Sequence, residues 1–177
     1  MKRLRSLHLS NNAIQGSGLA DIGTKPKLTY LDLSKTQVDD AALLHLANFP
    51  ELRELLLSNT QVSGSGFLNL KEHKKLLGMC LVMCPVTDAS LAGIVVPKHW
   101  EVLNLSGTKI TDQGVLNLKI PAGVDTVCLD NTLITDAALD YLQKWPKLSN
   151  LNVCGTQVTP AAIKRFQAKN PYCEFQK

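Results

Sequence analysis

Aliphatic and polar positions alternate along this chain in one pattern that restarts at a fixed interval. The pattern is L-x-x-L-x-L-x-x-T-x-V-T-D-x-x-L-x-x-L, repeated every 24 residues with starts at Leu4, Leu28, Leu52, Leu76, Trp100, Val124 and Leu148. A constant period of this length with this leucine spacing is typical of a stacked solenoid. We therefore expect a single domain over residues 1–177, built from seven repeats.

The positions within a repeat, numbered from its first residue, predict one strand and one helix. Positions 1, 4 and 6 are aliphatic, as for a short strand with those side chains inward and positions 3, 5 and 7 outward. Thr-Asp at positions 12 and 13, as in Thr111-Asp112, predicts a helix start, because either residue can cap a helix N-terminus. Short links between strand and helix give a parallel sheet covered by helices on one side. The expected fold class is an α/β solenoid, a horseshoe with a concave sheet and convex helices.

One small polar residue recurs at position 9, where the chain turns inward. The residues are Asn12, Thr36, Thr60, Cys84, Thr108, Thr132 and Thr156. Backbone groups stranded by the turn need partners, and a ladder of hydroxyls and amides supplies them. We expect the Cys84 rung to be weaker than the others. Position 13 departs from aspartate at Gly16, Gly64 and Pro160, so those three helices should begin less cleanly.

This repeat resembles the bacterial leucine-rich repeat of the ribonuclease-inhibitor-like superfamily. The best matches are residues 28–46, 100–118 and 124–142, and the ending Asn170-Pro-Tyr-Cys-Glu-Phe175 is similar to the short tail that closes such arrays. The resemblance covers essentially the whole chain. It implies a scaffold for protein recognition, often joined to other domains, with no shared catalytic residues.

The outward strand positions predict where a partner binds. Near the middle of the sheet they bring together an apolar patch of Leu56, Cys80, Val82, Met83 and Val102. An exposed apolar patch with a polar rim is typical of an interaction site. The rim residues expected to orient a protein or peptide partner are Tyr30, Asp32, Glu54, Asn104 and Asp130. The alternative interpretation is that the fourth repeat has simply drifted from the consensus.

Enzymatic and metal chemistry find little support in the sequence. His8 and Asp32 share a column on adjacent strands beside Ser10 and Ser34, which is the logic of a hydrolytic triad. The surface is open, however, and nothing is aimed there to stabilise an oxyanion, so a surface His–Asp hydrogen bond is the simpler interpretation. The cysteines and the remaining histidines do not converge on one point. We expect no catalytic residues, no metal and no cofactor.

Charge and the chain's beginning bound the remaining possibilities. The net charge of +4 is spread over loops rather than a stripe with stacking aromatics, so we expect no nucleic-acid partner. No apolar run is long enough to insert in a membrane. Five cysteines without a workable pairing and no signal-peptide pattern favour a cytoplasmic location. The first repeat starts without atypical capping residues, so we expect the chain to be a piece of a larger parent protein. The alternative to a binding module is a structural spacer, or a homotypic assembly element that self-associates through this edge.

Overall fold

The parallel sheet predicted by the repeat is present in the computed structural model, which describes residues 3–70, 73–92, 94 and 96–176. Within these residues one sheet runs in the order β1 to β8, and every neighbouring pair is parallel. The strands are Ser6–His8, Tyr30–Asp32, Glu54–Leu56, Gly78–Cys80, Val102–Asn104, Thr126–Cys128, Asn150–Asn152 and Glu174–Gln176. The last strand, β8, lies in the tail after the seventh repeat and adds a strand that the repeat pattern does not predict.

The register of the sheet confirms the predicted side-chain phase. Leu31 lies opposite Leu55, and Met79 opposite Leu103, so each strand is offset from the next by one repeat. Met79 and Leu81 are 3% and 0% exposed. The outward residues of the strands form the concave face, defined here as positions 3, 5, 7 and 8 of the repeats. The core behind the sheet is aliphatic, as the scarcity of aromatic residues requires.

The convex side carries one helical segment per repeat, but the segments differ in type. Among the described residues, five are α-helices, α1 to α5: Gly16–Ile22, Asp88–Leu91, Asp112–Asn117, Asp136–Leu142 and Pro160–Lys169. The second and third repeats instead form 3₁₀ helices, η1 over Asp40–Asn48 and η2 over Ser65–Leu70. These two pack very closely, since a Cβ on Gly66 would lie 2.6 Å from the Asp40 carbonyl oxygen.

The polar turn ladder forms as predicted at position 9. The hydroxyl of Thr108 donates to the carbonyl of Leu105 at 2.6 Å, and Thr36, Thr60, Thr132 and Thr156 repeat this bond in their own turns. Cys84 departs from it, because its thiol donates to the Leu57 carbonyl of the preceding repeat at 3.0 Å. Burial raises the pKa of the Cys84 thiol.

The prediction that Thr-Asp marks a helix start is confirmed at α3 and α4, but the aspartate carboxylates bind the next repeat rather than their own helix. The Asp88 carboxylate accepts from the N–H and the hydroxyl of Thr111, in the next repeat, at 2.8 and 2.7 Å. Asp112 binds Thr135 in the same way, and Asp136 binds Thr159. The threonines cap the helices: Thr111 accepts from the N–H of Gln113. The aspartates therefore fasten one repeat to the next.

The helix at Pro160 also contradicts the prediction of a weak start. Thr159 caps α5 by accepting from the N–H of Ala162 at 3.2 Å, and proline at the first helical position needs no N–H partner. Helix α5 is the longest α-helix of the described chain. Gly16 behaves as predicted, since α1 begins without a side-chain cap. At the C-terminal end, Phe175 of β8 packs against Phe166 of α5 with ring centroids 6.0 Å apart, closing the core.

Candidate functional site

The apolar residues predicted to form a patch lie side by side on the concave face. Leu56 and Cys80 are paired across β3 and β4, and Val102 follows in the next strand. Val102 is 41% exposed and Met83 is 60% exposed, while Val82 is half-buried. We call these five residues, Leu56, Cys80, Val82, Met83 and Val102, the central patch. Its residues lie in three consecutive repeats, with polar residues such as Glu54 and Asn104 beside them on the same strands.

A shallow depression of about 290 Å³ is lined in part by Leu56, Cys80 and Val102 of the central patch. Gly78 also lines it, between Glu54 and Val102 in the same column of the sheet. The backbone requires glycine there, because a Cβ would lie 2.1 Å from the Val102 carbonyl oxygen. The sheet also opens at this point: β3 and β4 pair at Leu55 and Leu56 but not at Glu54. The depression is therefore built into the backbone.

Two of the predicted rim residues are already engaged within their own turns. Asp32 accepts from the N–H of Ser34 at 2.9 Å, and Asn104 accepts from the N–H of Ser106 at 3.1 Å. Burial acts to raise the pKa of Asp32, but hydrogen bonds from Ser34 and Ser10 outweigh it and the pKa is lowered. These residues hold the ends of the strands in shape while leaving their outer atoms on the concave face.

The other rim residues differ in how firmly they are held. Asp130 accepts from the N–H of Cys154 at 2.7 Å and so joins two repeats. Glu54 is exposed. Tyr30 stacks beside His8 with ring centroids 4.8 Å apart, and burial, followed by the charges of Asp32 and Glu54, raises the pKa of its phenol. Glu54 and Tyr30 are thus the rim groups most available to a partner.

The arrangement of His8 does not support a hydrolytic site. His8 Nε2 lies 2.9 Å from the hydroxyl of Ser6. The predicted surface hydrogen bond from His8 to Asp32 is replaced by this contact, while Asp32 binds Ser34 instead. The imidazole is therefore oriented toward a serine on its own strand, without the carboxylate that a triad needs behind it.

The cysteines lie on both sides of the sheet as free thiols. Cys80, half-buried on the concave face, lies 3.2 Å from the hydroxyl of Ser58. Cys128 accepts a long contact of 3.6 Å from Asn152, and burial raises the pKa of its thiol. Among the described residues, no three His, Cys, Asp or Glu side chains gather as a metal site would require.

Position 8 holds a conformational feature that the sequence interpretation missed. Met83 has a φ of 59°, in the left-handed region, and every repeat has a left-handed residue at this position. The others are Asn11, Lys35, Asn59, Gly107, Asn131 and Gly155. Asparagine and glycine tolerate this conformation, whereas a methionine is strained in it. The recurrence of Asn and Gly at position 8 was the available signal, and it makes Met83 the exception on the central patch.

The first repeat exposes a second apolar surface at the end of the stack. Leu4, Leu7, Leu9 and Ile14 are only partly buried, whereas the matching residues of the second repeat, such as Leu28 and Leu31, are fully buried. They line a depression of about 460 Å³. Strand β1 pairs with β2 on one side only. Among the described residues, this side of the first repeat therefore combines a strand edge with partly exposed core residues.

Comparison with known proteins agrees with the repeat architecture. The Leucine Rich repeat family model matches residues 3–23, 24–47 and 98–119. No curated protein matches the sequence significantly. Among solved structures, internalin C2 from Listeria monocytogenes is similar with a TM-score of 0.66 and 20% identity, covering 93% of this chain and 68% of that chain. This likeness shows a shared fold. Separately, no helix of the described residues is long and apolar enough to span a membrane.

Proposed function

Because the chain is built from leucine-rich repeats, a repeat typical of protein-interaction modules, we propose that it is a non-enzymatic recognition module that binds a protein or peptide on its concave face. The central patch supplies the apolar contact, and the observation that carries this proposal is its exposure beside the Gly78 depression. Tyr30 and Glu54 orient the partner from the rim.

The state of Met83 supports a binding role over simple drift of the fourth repeat. Drift explains an apolar residue, but it does not explain a large, 60% exposed side chain held in a left-handed conformation where five of the other six repeats use Asn or Gly. Strained residues are concentrated at functional sites. A methionine is also adaptable, which suits a surface that must fit the side chains of a partner.

Selection from a displayed library of random peptides tests this proposal. Peptides selected on the wild-type protein should lose at least about tenfold in affinity for Val82→Asp and for Met83→Lys, because a charge would then occupy the apolar centre. They should bind Leu68→Lys normally, since Leu68 is an equally exposed apolar residue on the convex side. Circular dichroism establishes that each variant is folded. Peptides that bind Val82→Asp as well as wild type contradict the proposal.

The open end of the first repeat favours a second candidate function, homotypic assembly. An unprotected edge strand offers unpaired N–H and C=O groups to another chain, and here it adjoins the depression lined by Leu4 and Ile14. Light scattering over a range of concentrations separates the two: a dimer that is lost in Leu4→Lys supports assembly. A protein that stays monomeric at all concentrations contradicts homotypic assembly, and the concave recognition module then remains as the proposed function.

The free thiols support a reducing, cytoplasmic location as part of the proposal. Cys80, Cys128 and Cys154 are partly accessible and none is joined in a disulfide. Oxidising compartments favour paired cysteines. Thiol titration of the protein isolated without reductant should find all five cysteines free, and a lower number would argue for an oxidising compartment.

A further inference from the structure

Resting on the proposed concave binding function, we infer that the partner presents an apolar side chain flanked by lysine or arginine residues. The apolar side chain enters the Gly78 depression, and the cations face Glu54 and Glu101 at its edge. The shape of the depression and the charge around it support this chemistry of the partner segment.

The floor of the depression fits an apolar side chain. Its walls include Leu56, Cys80 and Val102, and Gly78 adds no side chain that would fill the space between them. The lining backbone is fixed by the close approach of Gly78 to Val102, so the cavity exists before a partner arrives. A preformed apolar pocket near the centre of a surface is where an anchor residue contributes most to binding.

The charge of the sheet layer differs in sign from that of the whole chain. The protein carries a net +4, yet the strands and the residues just before them carry mostly carboxylates over the described chain. The carboxylates are Asp32, Glu54, Glu101, Asp125 and Glu174, against the guanidinium groups of Arg5 and Arg53. A negative surface attracts a basic partner and repels nucleic-acid phosphates.

Two residues at the edge of the depression form a matched pair of opposite sign. Arg53 and Glu101 both occupy position 2 of their repeats, on either side of Leu77, and all three line the depression. Both charged side chains are exposed. Neutralising Arg53 makes the edge of the depression more negative, and neutralising Glu101 makes it less negative. Both changes are made at the same position of the repeat, so each is a control for the other.

Fluorescence anisotropy with three synthetic peptides tests the inference. The first is a labelled peptide with a Leu-Trp pair flanked by lysines, the second has glutamates in place of the lysines, and the third has glycines in place of Leu-Trp. The first peptide should bind most tightly, and its affinity should fall as salt rises from about 50 to about 500 mM.

Substitutions in the protein test the same charges. Glu101→Gln and Glu54→Gln together should lower the affinity for the first peptide about three- to tenfold, and Arg53→Gln should raise it about two- to threefold. Asp140→Asn, an exposed charge on the convex side, should leave its affinity unchanged.

The outcomes distinguish this inference from the proposed function. If the random library yields peptides sensitive to Val82→Asp but the acidic peptide binds as well as the basic one, the concave face binds partners and the inferred chemistry is overturned. The inferred chemistry also fails if Arg53→Gln and Glu101→Gln shift the affinity in the same direction, or if the basic peptide does not bind. If no library peptide responds to Val82→Asp, the proposed function fails as well.

Discussion

The carboxylate of Asp112 accepts two hydrogen bonds from Thr135, one from its N–H at 2.8 Å and one from its hydroxyl at 2.7 Å. The two residues lie in consecutive repeats, so the bond ties the start of one helix to the start of the next. Asp88 and Asp136 make the same contact with Thr111 and Thr159. The convex side is thus held together by charged hydrogen bonds as well as by apolar packing.

Replacing Asp112 with alanine should lower the free energy of unfolding by about 2 kcal/mol, because the Thr135 N–H loses its charged acceptor. Asp140→Ala is the matched control. Asp140 is an exposed aspartate of α4, and its removal should change stability by no more than about 0.5 kcal/mol. Urea denaturation measures both. Equal effects of the two substitutions would show that the Asp112–Thr135 contact adds nothing beyond a surface charge.

The sequence predicts the sheet and its phase because those depend on local alternation. Leu31, Leu55 and Met79 are inward by their spacing alone, and the structure confirms each. The role of Asp112 was mistaken because its partner lies a full repeat away and is visible only once the repeats are stacked. Either a local cap or a link to the next repeat satisfies the Thr-Asp pattern, and the sequence does not distinguish them.

The candidate site was predictable in outline but not in shape. The outward positions of neighbouring strands identify Leu56, Cys80 and Val102 as residues of one region of the concave face. The depression depends on Gly78, whose significance comes from a close backbone approach of β5 rather than from any motif. The strain at Met83 was missed because Met83 was interpreted only as an apolar residue of the patch, although Asn and Gly recur at position 8.

Met83→Asn should raise stability and weaken binding at the same time. Asparagine tolerates the left-handed conformation better than methionine, so we expect a gain of about 0.5–1 kcal/mol. The loss of the exposed side chain should reduce the affinity of concave-face peptides.

Lys35→Asn is the matched control, because Lys35 has a φ of 57° at the same repeat position but lies outside the central patch. It should stabilise the protein without altering binding, as thermal unfolding and anisotropy together will show. A fall in stability for Met83→Asn would mean that packing of Met83 against Gly107 outweighs the strain.

The stability of the fold should decrease as the pH falls below about 6.5 because of His73. This side chain is 6% exposed, and burial lowers the pKa of its imidazole. The unfolded chain then binds a proton at a higher pH than the folded chain does, so acid favours unfolding. The stability that the neutral, buried His73 contributes is complete above the pKa that His73 has in the unfolded chain. It declines as the pH falls from that value to the lower pKa of the folded chain. Urea midpoints of wild type and His73→Leu, measured between pH 7.5 and pH 5.5, provide the test. The variant should show a smaller pH dependence, and identical slopes would exclude His73 as the cause.

The junction between the third and fourth repeats should be the weakest in the stack. Gly64 replaces the aspartate that binds the next repeat at four of the other five junctions. The N–H of Thr87 binds Ser90 of its own repeat instead, at 2.9 Å. Pro85 lacks the N–H that Gln61 donates to Val38 one repeat earlier, at 2.9 Å. The described parts of η2 and α2 also pack less closely than any other consecutive helical pair. Weaker coupling at one junction permits local opening there.

Hydrogen exchange at equivalent amides measures that difference directly. The N–H of Leu57 donates across this junction to Cys80 at 3.0 Å, and the N–H of Leu105 donates across a complete junction to Cys128 at 2.9 Å. Since the two bonds have the same geometry, faster exchange at Leu57 reports the strength of the junction rather than of the bond. Pro85→Gln, which restores a donor at that position, should slow exchange at Leu57 and leave Leu105 unchanged. Equal protection of the two amides in the wild-type protein would show that the stack is uniform and that the Gly78 depression lies on a rigid surface.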